Sequence, residues 1–123
     1  MKLHLAGNEG LQLFSGYGAG YVAVNGVRYE ASVLVTPEGV TAWGVSSFEA
    51  LTADDFGFID ERKPEIVILG TGKMQRFPPR ELARVLAAGN RGVEFMDSNA
   101  ACRTYNILVA EGRKVLAAIL IGA

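Results

Sequence analysis

Apolar positions change period along the chain, and the change divides it into a β-patterned first half and an alternating β/α second half. Residues 21–24 and 27–35 are β-type runs separated by Asn25-Gly26. A type I′ hairpin turn needs positive φ at both central positions, which Asn and Gly adopt most readily. Thr36-Pro37-Glu38-Gly39 is a second turn, with Pro suited to its first central position, and residues 40–45 follow as another strand. The first half is therefore predicted to be an antiparallel meander joined to the sheet of the second half.

Thr52 opens the first predicted helix, with Asp55 placed to complete a capping box and Leu51 and Phe56 to form a hydrophobic staple. Asp54 and Asp55 suit the positive end of the helix dipole. This helix is predicted to run to about Arg62, with Phe56 and Ile59 inward and Gly57 weakening it. A strand over 65–69 comes next, its β-branched run suited to cover on both faces. Pro79 opens a helix with Leu82, Val85 and Leu86 on its apolar face, and Gly89 closes it. Residues 92–96 form a strand. Asp97 or Ser98 caps a helix to about Glu111, with Ala101, Tyr105 and Leu108 on one face. Gly112 ends that helix, and residues 114–121 form a last strand.

The expected fold class is α/β: a single compact domain whose central mixed sheet joins an N-terminal antiparallel meander to a C-terminal βαβαβ unit. Residues 1–20 are expected to be a lead-in and residues 21–123 the domain. A chain of 123 residues, half of them hydrophobic and a fifth charged, can bury a core without staples.

Charge and composition remove several kinds of chemistry. A net charge of −1 supplies no field for nucleic acid. One cysteine, Cys102, and one histidine, His4, exclude a thiolate cluster or a histidine-rich metal site. Residues 1–8 show no apolar segment of signal-peptide length, and the run 115–121 is far short of a membrane span, so a cytoplasmic location without a transmembrane segment is expected.

Right-handed crossovers bring the loops after residues 69 and 96 to the same edge of the sheet, where ligands of open α/β sheets bind. There the sequence supplies Gly70, Thr71, Gly72, Lys73 and Arg76 from one loop, and Ser98, Cys102 and Arg103 from the other. Glycines, hydroxyls, cations and a helix N-terminus suit a small anion or carboxylate. Equally, the glycines shape a tight turn and the arginines pair with neighbours. Gly70-Thr71-Gly72-Lys73 is neither a P-loop nor G-x-G-x-x-G, since Gln75 stands where the third glycine belongs. The glycines of Ser15-Gly16-Tyr17-Gly18-Ala19-Gly20 precede a strand rather than a helix and are read as a flexible loop. Cys102 lies near a helix N-terminus and beside Arg103, features that lower a thiol pKa, but a histidine base from the body of the fold is missing. Trp43, Phe48 and Phe77 are expected to be partly exposed. Gathered in one patch they would mark a protein interface, Phe77 above all because Pro78 and Pro79 stiffen its loop.

Three segments, Val45-Ser46-Ser47-Phe48-Glu49-Ala50-Leu51, Glu65-Ile66-Val67-Ile68-Leu69-Gly70-Thr71-Gly72 and Asn99-Ala100-Ala101-Cys102-Arg103-Thr104-Tyr105-Asn106-Ile107-Leu108, resemble the Mth938-like domain family, formerly a domain of unknown function. The resemblance runs from about Tyr21 to the C-terminus and implies a compact α/β fold with a central mixed sheet. Eukaryotic relatives include a mitochondrial assembly factor for respiratory complex I and a small protein associated with adipocyte differentiation. The family brings no settled enzymatic activity, cofactor or metal, and no catalytic residue is carried over. No mitochondrial targeting segment is expected, so the organellar role does not transfer as it stands. The leading expectation is a non-catalytic interaction or assembly protein with a protein partner, the alternative a small-ligand or anion-binding protein using the two loops. A homodimer through an edge of the meander is a further possibility.

Overall fold

A computed structural model describes residues 10–121. The readings made on His4 and on the N-terminal segment 1–8 lie outside these residues.

The chain builds two sheets. β1 (Phe14–Gly18), β2 (Tyr21–Val24) and β3 (Val27–Tyr29) form a three-stranded antiparallel sheet. β4 (Val33–Thr36), β5 (Gly39–Ala42), β6 (Ile66–Gly70), β7 (Gly92–Met96) and β8 (Val115–Ile119) form a mixed sheet in the order β5-β4-β8-β6-β7. β6 is parallel to both β7 and β8, and β4 is antiparallel to β8 and β5. Three α-helices, α1 (Phe58–Arg62), α2 (Arg80–Ala87) and α3 (Ser98–Ala110), complete the α/β architecture.

From β6 the chain steps to β7 on one side, then returns across β6 to β8 on the other. Two right-handed crossovers in opposite directions need helices on opposite faces, and the core is divided that way. Leu82 and Leu86 of α2 pack with Val67, Leu69, Leu116 and Ala118, together with Trp43, Phe56 and Ile59. Ala101, Cys102, Tyr105 and Val109 of α3 pack with Ile66, Ile68, Ala117 and Ile119, and with Phe14, Val22 and Val24 of the small sheet. Alternate residues of β6 and β8 thus enter two different cores, and for that reason these strands are apolar at every position.

The predicted turns form as expected. Asn25 and Gly26 have φ of 48° and 84° and pair Val24 with Val27. Pro37 and Glu38 join β4 to β5 with Thr36 opposite Gly39. Four expectations are corrected. The run 27–35 is not one strand, because β3 and β4 belong to different sheets; the exposed Val27 and Arg28 and the wholly buried Val33–Thr36 face different surroundings. The meander therefore joins the main sheet only through β4 and β5. Phe14–Gly18, within the stretch read as a lead-in with a flexible loop, form β1, and Gly20, at φ 78°, helps turn the chain into β2. The helix expected over 52–62 is broken. Asp55 does accept from the Thr52 N–H at 2.8 Å, but Ala53–Phe56 is a 3₁₀ turn, and α1 begins only after Gly57. Finally, Trp43 is buried, its indole N–H donating to the Asp55 carbonyl at 2.9 Å, so β5 ends before it.

Candidate functional site

The strand order reverses at β6, and the loops after β6 and β7 do meet at its carboxyl end. They are hydrogen-bonded to each other. The Thr71 N–H donates to the Met96 carbonyl at 2.8 Å, and the Ser98 N–H to the Gly72 carbonyl at 2.8 Å. The Ser98 hydroxyl accepts from the Gly72 N–H at 2.9 Å and donates to the Leu120 carbonyl at 2.7 Å. Thr71, also buried, has its hydroxyl 2.6 Å from the Met74 carbonyl and 3.2 Å from that of Met96, and it accepts from the Arg76 N–H at 3.1 Å. Gly70 has no room for a side chain, since a Cβ there would lie 3.0 Å from Ser98 Oγ and 3.1 Å from Ser98 Cα and Ile119 Cδ1. These residues form a knot binding the ends of β6 and β8 to the start of α3.

The cations part company. Arg76 pairs with Glu49, which holds that carboxyl below the usual carboxylate range, and its guanidinium stands 5.3 Å over the Phe48 ring. Arg103 leaves on the opposite face, donating to the Tyr17 hydroxyl at 3.0 Å. An open cleft of about 550 Å³ lies between the knot and the β1–β2 turn, lined by Gly18, Tyr21, Gly72, Lys73, Asp97 and Asn99 among others. Among the described residues Lys73 is the cation that lines it. The first turn of α3 already holds a carboxylate: Asp97 caps the helix by accepting from the Ala100 N–H at 2.9 Å. A second anion at this terminus would meet that charge.

Cys102 is fully buried on the inward face of α3. Burial pushes its thiol up to about 12, against the smaller opposing effect of Arg103. The helix terminus and the neighbouring arginine, read in the sequence as lowering the pKa, are outweighed because the side chain points into the core. The folded protein therefore retains a proton that the unfolded chain loses. Stability measured by denaturant titration should fall as pH rises from about 9 to about 12, and Cys102→Ala should flatten part of that fall.

Sequence reasoning missed what the rest of α3 does. Asn106 Oδ1 accepts from the Phe14 N–H at 2.9 Å, and its Nδ2 donates to the Phe14 carbonyl at 2.8 Å, so one side-chain amide serves β1 as an adjacent strand would. The Tyr105 hydroxyl donates to the Gln12 carbonyl at 2.8 Å. With Arg103 on Tyr17, the Arg103-Thr104-Tyr105-Asn106 run is a clasp that fastens the small sheet onto α3. Among the described residues no group of three or more metal-ligating side chains converges, and no helix is long and apolar enough to cross a membrane.

A mixed sheet ordered β5-β4-β8-β6-β7, flanked by helices and by a small antiparallel sheet, defines a domain of the Mth938-like fold. Residues 14–120 match the family described as "Protein of unknown function (DUF498/DUF598)", and the chain belongs to that family. A crystal structure of a Bordetella parapertussis protein superposes with a TM-score of 0.83 at 40% identity, covering 91% of this chain and 97% of that one. The solution structure of a Bordetella pertussis protein, a Mth938-like domain, gives 0.79 at 35% identity, over 92% and 87%. Among sequence relatives, the "13 kDa major membrane protein" of Francisella tularensis subsp. holarctica is 36% identical over 76 residues, 62% of each chain. The bovine "NADH dehydrogenase [ubiquinone] 1 alpha subcomplex assembly factor 3" is 35% identical over 100 residues, which is 79% of this chain and 54% of that protein. The matched region thus spans between about half and three fifths of these two relatives.

Proposed function

We propose that this chain is a non-catalytic interaction domain that serves the assembly of a larger complex, with a respiratory NADH dehydrogenase as the complex in question and the cytoplasmic side of the membrane as the place. The observation that carries the reading is the likeness over 79% of the chain to a protein named as an NADH dehydrogenase assembly factor. The local chemistry agrees with it. Gly70, Thr71, Gly72 and Ser98 are engaged in the knot, Arg76 and Arg103 in separate contacts, and Cys102 in the core, so the reading assigns them structural work. The exposed apolar side chains Met74 and Phe77 stand beside the knot and suit a protein surface.

The test is a native gel of membranes from cells lacking the chain. Assembled NADH dehydrogenase should fall several-fold while unassembled subunits accumulate, and complementation should restore it. Normal levels of the assembled complex would overturn the reading.

A further inference from the structure

β7 is the last strand of the main sheet, and its outer edge is unpaired among the described residues. In a parallel ladder alternate residues direct their backbone groups to the same neighbour. The Gly92 N–H bonds the Glu65 carbonyl and the Met96 carbonyl accepts from Thr71, so Gly92, Glu94 and Met96 face β6. Val93 and Phe95 therefore present their backbone groups outward. Gln75 Nε2 donates to the Phe95 carbonyl at 2.9 Å, which confirms the direction and occupies one of the four groups. The Val93 N–H, the Val93 carbonyl and the Phe95 N–H have no partner among the described residues.

The side chains along this edge are unlike on the two faces. Val93 and Phe95 lie on the α2 face, half-buried, and Phe77 meets Phe95 edge-to-face at 6.0 Å. Phe77 is 71% exposed and Met74 64%, so an apolar ledge runs beside the open edge. On the other face Glu94 is exposed, and among the described residues it has no ion-pair partner.

We propose that the β7 edge binds an extended segment of a partner protein by strand addition, and that the segment alternates apolar and basic side chains. This rests on the interaction reading above. An antiparallel strand exchanges both bonds with Val93 and receives the Phe95 N–H, leaving Gln75 in place. Its residues opposite Val93 and Phe95 then lie on the ledge with Phe77, and the residue between them stands across from Glu94, where a lysine or arginine is favoured and an acid opposed. A second copy fits less well. Full overlap of two β7 edges needs the Phe95 carbonyl that Gln75 holds, and it sets Glu94 against Glu94 of the other copy.

The experiment uses the full chain, labelled with nitrogen-15, and two nine-residue capped peptides, one alternating Val with Lys and one alternating Val with Glu. At low salt the Val/Lys peptide should shift the Val93 and Phe95 amide resonances and bind about tenfold tighter than the Val/Glu peptide. Glu94→Lys should reverse that order, and Phe77→Ser should weaken Val/Lys binding several-fold; both positions are exposed, so neither variant threatens folding. Equal affinity for the two peptides, shifts confined to other strands, or a β7-mediated dimer that the peptide does not displace would each overturn the proposal. In cells, normal NADH dehydrogenase assembly by the Phe77→Ser, Glu94→Lys double variant, beside failed assembly without the chain, would remove the β7 site and leave the assembly reading standing.

Discussion

Tyr105→Ala should cost about 3–5 kcal/mol of folding stability, the usual range for truncating a large buried aromatic. The ring is completely buried and lies edge-to-face on Phe14 at 5.1 Å. Its loss opens a cavity at the junction of α3, the small sheet and the main sheet, where three elements would have to move together to refill it. The hydroxyl bond to Gln12 is a separate and smaller contribution. Tyr105→Phe should therefore cost about 1–2 kcal/mol, because it removes one hydrogen bond and leaves a carbonyl that is not fully buried. Urea titrations of the two variants would separate packing from hydrogen bonding. A Tyr105→Ala cost below 1 kcal/mol would mean that the small sheet docks independently of the clasp. With domains of this size stable by about 5–15 kcal/mol, the expected loss is a large share of the whole.

That expectation bears on function. The Gly-Thr-Gly loop and the Ala-Cys-Arg-Thr-Tyr-Asn helix are the segments by which the chain resembles its family. Both are spent on holding the fold, one as the knot at β6 and the other as the clasp on β1. In these segments the polar groups of Thr71, Ser98, Tyr105 and Asn106 are bonded within the fold. Among the described residues, exposed groups without partners lie at Phe77, Met74, Glu94 and the outward amides of β7, in segments that carried no motif.

Local signals in the sequence located most elements. Asn25-Gly26 and Thr36-Pro37-Glu38-Gly39 specify turns through their own dihedral preferences, and the uninterrupted apolar runs at β6 and β8 announced strands buried on both faces. What failed depended on distant partners. The burial of Trp43 requires the carbonyl of Asp55. Phe14–Gly18 is a strand through its pairing with β2, and Asn106, 92 positions from Phe14, holds its outer edge at Phe14. The split between β3 and β4 did leave a trace, since Val27-Arg28-Tyr29-Glu30 alternates with polar residues and Val33-Leu34-Val35 does not. The loops after β6 and β7 meet at one edge of the sheet, while Arg76 and Arg103 leave that edge towards Glu49 and Tyr17. Once β7 and β8 are known to flank β6 on opposite sides, α2 and α3 must take opposite faces, and Arg76 and Arg103 leave with them.

Ser98→Ala should be the most damaging change of a single small side chain, at about 2–5 kcal/mol. It deprives the Gly72 N–H and the Leu120 carbonyl of a shared partner, and each such group left unpaired in a buried place costs about 1–3 kcal/mol. Both residues border the cleft, but Leu120 is buried and Gly72 only partly so, and the Leu120 carbonyl therefore carries the larger share. Gly70→Ala attacks the same knot from the other side. The new Cβ would sit 3.0 Å from Ser98 Oγ, and overpacking of this kind costs about 1–3 kcal/mol. The two effects are coupled through that oxygen. Removing Oγ in the double variant relieves the closest contact, although Ser98 Cα and Ile119 Cδ1, each at 3.1 Å, still oppose the methyl group. The double variant should therefore be more stable than the sum of the single losses predicts, by about 0.5 kcal/mol or more in a double-mutant cycle. Strict additivity would show that Gly70 is glycine because of Ile119 and the α3 backbone, and that the Ser98 hydroxyl serves Gly72 and Leu120 alone.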